Sequence, residues 1–85
     1  TKMSNDVADT VISFIRESLR LEAEQEVKPE TNIIMELDGD SLDVIEIVID
    51  IEEHYDINIM EEELAKVMLV SDLIKIVDDT IAEQS

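Results

Sequence analysis

The sequence contains no cysteine. Disulfides, thiolate nucleophiles and zinc–thiolate sites are therefore excluded. Tryptophan is absent, and there is one Phe and one Tyr. Such a chain has almost no aromatic surface on which to stack bases or sugars. With one Gly and one Pro, strong punctuation is rare. Basic residues number 6 against 23 acidic ones, a net charge of −17. This balance argues against nucleic acid, whose phosphates need Lys and Arg, and against anionic membrane surfaces. Apolar runs last only a few residues, so neither a signal-peptide pattern nor a membrane-spanning run is recognisable. A soluble, cytoplasmic protein is expected.

What is present is a compact aliphatic vocabulary. Hydrophobic residues make up 45% of 85 positions, enough for one small core and one domain over residues 1–85. Val7, Val11, Phe14, Ile15 and Ser18 keep the 3.6-residue period and predict a first helix from about Asn5 to Leu21. Ser4 or Asn5 can cap it. Residues 22–40 hold no helical period, and Pro29 disfavours helix at Lys28. A loop this long in a small domain is unusual and often functional. Ile33, Ile34, Met35 and Leu37 are expected to anchor it on the core.

A second helix is predicted from Ser41 to Tyr55. Asp40 is its N-cap candidate, and Gly39 lets the chain turn just before it. Val44, Ile47, Val48, Ile51 and Tyr55 form the core stripe. A short third helix is expected over Glu61–Val67. The fourth begins after Ser71, read as an N-cap, with Leu73, Ile74, Val77 and Ile81 facing inward and Asp72 suiting the dipole. Alternation in Ile57-Asn58-Ile59 is too short for a strand. The fold class is all-α: a small four-helix bundle with three main helices, one short third helix and a long first loop.

Gly39-Asp40-Ser41-Leu42-Asp43 carries the most chemical information. It sets a serine hydroxyl in the first turn of a helix, where backbone N–H groups lack partners and the dipole is positive. A phosphate ester on Ser41 would be well placed there. A simple capping role for Asp40 or Ser41 explains the same spacing. Behind the serine, Asp43, Glu46, Asp50, Glu52 and Glu53 decorate the helix, and no Lys or Arg occurs between Lys28 and Lys66. Leu42, Ile45 and Ile49 fall outside the core stripe. Aliphatic residues among carboxylates suit a recognition surface in which apolar patches bind and charges steer.

Asp40-Ser41-Leu42, the acidic–aliphatic helix after it and the Glu52-Glu53-His54-Tyr55 end resemble the acyl carrier proteins over nearly the whole chain. The resemblance implies a carrier, not an enzyme, holding acyl intermediates as thioesters on a covalent 4′-phosphopantetheine derived from coenzyme A. Ser41 would be the attachment point, with Asp40 and Leu42 beside it as further cofactor-binding residues. Asp43, Ile45, Glu46, Ile49, Asp50, Glu52 and Glu53 would meet partners. These are a phosphopantetheinyl transferase and the basic surfaces of acyltransferase, ketosynthase, reductase or ligase enzymes. Val44, Ile47, Ile51, Ile59, Val67 and Leu73 would line an interior that shelters the acyl chain. A stand-alone monomer serving fatty acid, polyketide or related synthesis is implied.

Two departures mark the sequence. The family often has Leu-Gly-x-Asp-Ser-Leu, whereas Leu37-Asp38-Gly39-Asp40-Ser41-Leu42 moves the glycine one place towards the serine. Gly-x-Ser is also common in peptidyl carrier proteins, which keeps aminoacyl cargo as an alternative. Met60 stands where the family frequently has proline. One histidine, His54, more than three turns along the helix from Ser41, cannot complete a Ser-His-Asp set. Glu36-x-Asp38-x-Asp40 imitates the start of a calcium loop, but Ser41 and Ile47 stand where that loop needs Gly and Glu. No specific metal site is expected. An acidic interaction module, or weak divalent-cation binding by so many carboxylates, is the reading from another class.

Overall fold

The computed structural model describes residues 3–84, the side chains of residues 3–6 excepted. It holds four helices: α1 Met3–Leu19, α2 Ser41–Tyr55, α3 Glu61–Leu64 and α4 Val70–Gln84. Among the described residues there is no strand. One isolated bridge pairs Asn32 with Leu69. The helices close over an aliphatic core in which Val11, Ile15, Ile33, Ile47, Ile51, Val70, Leu73 and Val77 are fully buried. α1 packs against both α2 and α4. An all-α bundle is thus the observed fold.

α1 is already helical at Met3, ahead of the expected start, and the candidate caps Ser4 and Asn5 lie outside the residues whose side chains are described. It stops at Leu19, two residues before the apolar period gives out. Arg20 turns left-handed with φ 55°. The N–H of Arg20 then reaches Glu17 O at 3.3 Å, and that of Leu21 reaches Arg16 O at 3.0 Å. This double return bond ends a helix by satisfying its last carbonyls. The Arg16 guanidinium donates to the carbonyls of Glu22, Ala23 and Gln25, fixing the chain as it leaves the helix.

Two of the four expected loop anchors hold. Ile33 and Leu37 are buried, while Ile34 is 37% and Met35 76% exposed. The cause is local: Asn32 Oδ1 accepts the N–H groups of Ile34 at 3.0 Å and Met35 at 2.9 Å. The resulting turn leaves Ile34 and Met35 outside and brings the chain back to the core at Leu37. The loop is also laced to the start of α4. Val70 N–H donates to Thr31 O and Ser71 N–H to Pro29 O.

The turn before α2 is not made by its glycine. Asp38 takes the left-handed conformation, φ 58°, and Gly39 does not. Asp tolerates that region better than most side-chain-bearing residues. The family's usual glycine would stand at this position, so the displaced glycine needs another cause. Gly39 is buried, and a Cβ there would lie 3.1 Å from Ile33 Cγ2 and 3.2 Å from Ile33 O. Neither atom can easily yield. One belongs to a fully buried side chain, the other already accepts the Gly39 N–H at 3.1 Å. Gly39→Ala is expected to destabilise the fold by about 1 kcal/mol through overpacking, read as a lower urea midpoint.

Two further boundaries shift. α3 is one turn long and ends at Leu64, not Val67. Lys66 and Val67 then close four-residue turns onto Glu63 O and Leu64 O. These turns deliver Val67 to the core. Ser71 lies inside α4 and does not cap it. The Asp72 carboxylate instead accepts the N–H groups of Met68 at 3.1 Å and Leu69 at 2.9 Å.

Candidate functional site

The N-terminus of α2 is closed by a reciprocal capping box. Asp43 N–H donates to Asp40 Oδ1 at 2.9 Å, and Asp40 N–H donates to Asp43 Oδ2 at 3.1 Å. Capping is therefore the work of Asp40. Ser41, the next residue, is exposed, and no hydrogen bond engages its hydroxyl among the described residues. A helix start thus presents a free alcohol at its positive end.

Beside Ser41 opens a cleft of about 280 Å³. Its walls are Ile34 from the loop, Val44 and Ile45 from α2, Glu61 and Leu64 from α3, and Ala65 and Val67 beyond it. A second, smaller cleft of about 160 Å³ continues along α2. Ile45, Glu61 and Leu64 line both. Of the expected interior residues, Val44 and Val67 line the first cleft and Ile59 the second. Ile47, Ile51 and Leu73 are wholly buried and line neither. They form the packed floor behind it. Leu64, Ala65, Glu61 and Ile34 were not foreseen, because their placement depends on how α3 and the loop lie over α2.

Outward, α2 carries two parallel stripes. Leu42, Ile45 and Ile49 are 61%, 42% and 46% exposed, an uncovered aliphatic ridge. Glu46, Asp50 and Glu53 follow at i, i+4 and i+7 beside it and are exposed. Other acidic candidates are tied down. Asp40 and Asp43 bond each other's backbone, and the half-buried Glu52 accepts Ile59 N–H at 2.7 Å. His54 is exposed and lies edge-on to Phe14, ring centroids 5.5 Å apart. The Glu36–Asp38–Asp40 run does not gather round an ion, since Glu36 folds back onto Asn32 N–H. Among the described residues no cluster of three His, Cys, Asp or Glu is placed to hold a metal. No described helix is long and apolar enough to cross a membrane.

A phosphodiester-linked arm fits these residues. Its phosphate would lie at a helix N-terminus with free N–H groups. Its distal end could enter a cleft whose walls are mainly aliphatic. Residues 9–77 match the family described as the phosphopantetheine attachment site. The chain belongs to the acyl carrier protein family. It is similar to the acyl carrier protein of Helicobacter hepaticus, 38% identical over 73 residues covering 86% of this chain and 95% of that protein. The Picosynechococcus acyl carrier protein is 35% identical over 75 residues, 88% of this chain and 91% of the other. In three dimensions the chain resembles the crystal structure of the Thermotoga maritima acyl carrier protein. The TM-score there is 0.81 at 29% identity, over 96% of this chain and 94% of that one. The chain is accordingly a carrier protein of the phosphopantetheine-attachment type, with 4′-phosphopantetheine as its covalent cofactor.

Proposed function

We propose that Ser41 is the attachment residue and that the chain presents acyl groups to partner enzymes as thioesters of the arm. One observation carries this reading: the Ser41 hydroxyl is free and exposed because Asp40 caps the helix in its place. The arm, when bound, supplies a terminal thiol on which acyl groups travel. The chain's own residues bind and orient. Ser41 Oγ is an acceptor: its O–P bond forms as the nucleotide part of coenzyme A leaves, and its proton passes to a base on a separate phosphopantetheinyl transferase. That transferase also supplies the metal. His54 lies more than three turns along α2 from Ser41, so in this reading the base belongs to the transferase and the chain acts as its substrate and carrier.

The cleft beside Ser41 would shelter the cargo's near end. Leu42, Ile45 and Ile49 would contact partners, steered by Glu46, Asp50 and Glu53 towards basic acyltransferase, ketosynthase, reductase or ligase surfaces. The protein would act as one carrier domain, a cytoplasmic monomer, in fatty acid, polyketide or related synthesis. Incubation with coenzyme A and a broad-specificity transferase is expected to add the mass of one arm. An unchanged intact mass would sink the proposal. Glu46→Lys and Glu53→Lys should each slow this loading by about tenfold at low salt, with unchanged melting. Added salt should shrink the difference. Equal rates at low salt would show that the acidic stripe steers nothing.

A further inference from the structure

α3 has little to hold it in place. It is four residues long, Met60 offers no side-chain cap, and none of its residues is buried. Yet its Glu61 and Leu64 line both clefts near Ser41. Leu64 alone packs against the core, and it is only partly buried, so the position of α3 depends largely on what flanks it. On the C-terminal side, buried Val67, the bond from Ile33 N–H to Met68 O and the Asp72 carboxylate do this. On the N-terminal side, three successive N–H groups are held from outside. Ile57 donates to Glu52 O at 3.1 Å, Asn58 to Gln84 Oε1 at 3.1 Å and Ile59 to Glu52 Oε2 at 2.7 Å. Gln84 Nε2 returns a bond to Asn58 O at 2.9 Å. The Gln84 side chain, 26 residues away in sequence, thus makes both bonds that a neighbouring strand would make to one residue.

We propose that Gln84 is a positioning residue. Its two-point clamp on Asn58, beside the Glu52 carboxylate on Ile59, fixes the base of α3 and so sets the width of the cleft next to Ser41. The clamp is a property of the chain alone. Its consequence for cargo rests on the carrier reading above. Glu52 of α2 and Gln84 of α4 both bond this loop, so the last turn of α4 is coupled to a cleft that Gln84 does not line.

Amide hydrogen exchange on the protein without its arm tests the clamp. Gln84→Met keeps the side chain's length and loses both bonds. It is expected to speed exchange at Asn58 by about tenfold, the worth of roughly one net hydrogen bond, with Val11 and Ile15 in α1 unchanged. Gln84→Glu keeps the acceptor for Asn58 N–H and should restore part of the protection. Unchanged exchange at Asn58 in Gln84→Met overturns the clamp, as does an equal rise at Val11 and Ile15, which would mean general destabilisation. The cleft is read on arm-loaded protein carrying octanoyl or acetyl thioesters. Gln84→Met should speed hydroxylamine release of octanoyl several-fold and leave acetyl unchanged, since only the longer chain reaches past α3. Equal effects on both overturn the link to the cleft. Failure of the wild type to take an arm would refute the carrier reading, while the exchange result would still decide the clamp.

Discussion

Leu73→Ala should cost about 3 kcal/mol and Leu42→Ala almost nothing, although the chemical change is the same. Leu73 is wholly buried in the core that α1 and α4 share, and Leu42 is 61% exposed on α2. Truncating a buried leucine loses its transfer free energy and leaves a cavity, typically ~2–5 kcal/mol. A surface change away from such features usually stays within about 0.5 kcal/mol. In a domain this small, about 3 kcal/mol lowers the melting temperature by roughly 12–24 °C. It removes a large share of a total stability on the order of 5–15 kcal/mol. Thermal melts of the two variants check it. Similar shifts in both would mean that the ridge Leu42–Ile45–Ile49 is covered and cannot serve partners. Loading kinetics should rank the variants the other way: Leu42→Ala slows transfer onto the protein, and Leu73→Ala does so only as far as it unfolds.

Ser41→Ala is expected to abolish loading and leave stability within about 0.5 kcal/mol of the wild type. Among the described residues the hydroxyl makes no hydrogen bond to lose, and alanine is the best helix former. Its neighbour supplies the control. Asp40→Ala removes the N-cap and should cost ~1 kcal/mol while leaving the acceptor alcohol in place. Loading and stability therefore separate at adjacent residues: one loses the arm and keeps the fold, the other loosens the fold and still takes the arm, more slowly. The measurements are intact mass after incubation with coenzyme A and a transferase, and a urea titration. A Ser41→Ala variant that still gains the arm would place attachment elsewhere. A Ser41→Ala variant that melts like Asp40→Ala would make the serine a structural residue.

The parts of this molecule that repeat were legible in the sequence. Of the stripe Val44, Ile47, Val48, Ile51 and Tyr55 and the inward set Leu73, Ile74, Val77 and Ile81, the structure buries six and leaves Tyr55, Ile74 and Ile81 partly buried against the core. Asp40 as N-cap was legible because capping is a local hydrogen bond. What failed depended on backbone choices that side-chain pattern does not encode. Leu21 continues the apolar period of α1, but Arg20 turns left-handed and ends it early. Gly39 looked like a hinge, yet Asp38 makes the turn and Gly39 answers to crowding by Ile33. Ser71 looked like a cap, but the Asp72 carboxylate reaches back to the preceding N–H groups.

At the site, the serine and the two outward stripes were readable, since α2 is long and regular. The cleft was readable only in part. Val44 and Val67 were expected and Leu64 and Ala65 were not. The wall they belong to is a one-turn helix held by distant side chains, and no local period records where it lies. Glu52 shows the same limit. Its sequence neighbours suggest a free surface carboxylate, but its oxygen is bonded to Ile59 N–H seven residues on.

The central claim is that Ser41 bears the arm. It is tested most directly by peptide mass spectrometry of the protein isolated from its own cells. The account predicts that the peptide containing Ser41 carries one phosphopantetheine, free or acylated, with fragment ions placing it on that serine. A Ser41 peptide found only unmodified, or an arm located on Ser13, Ser18 or Ser71, would contradict it.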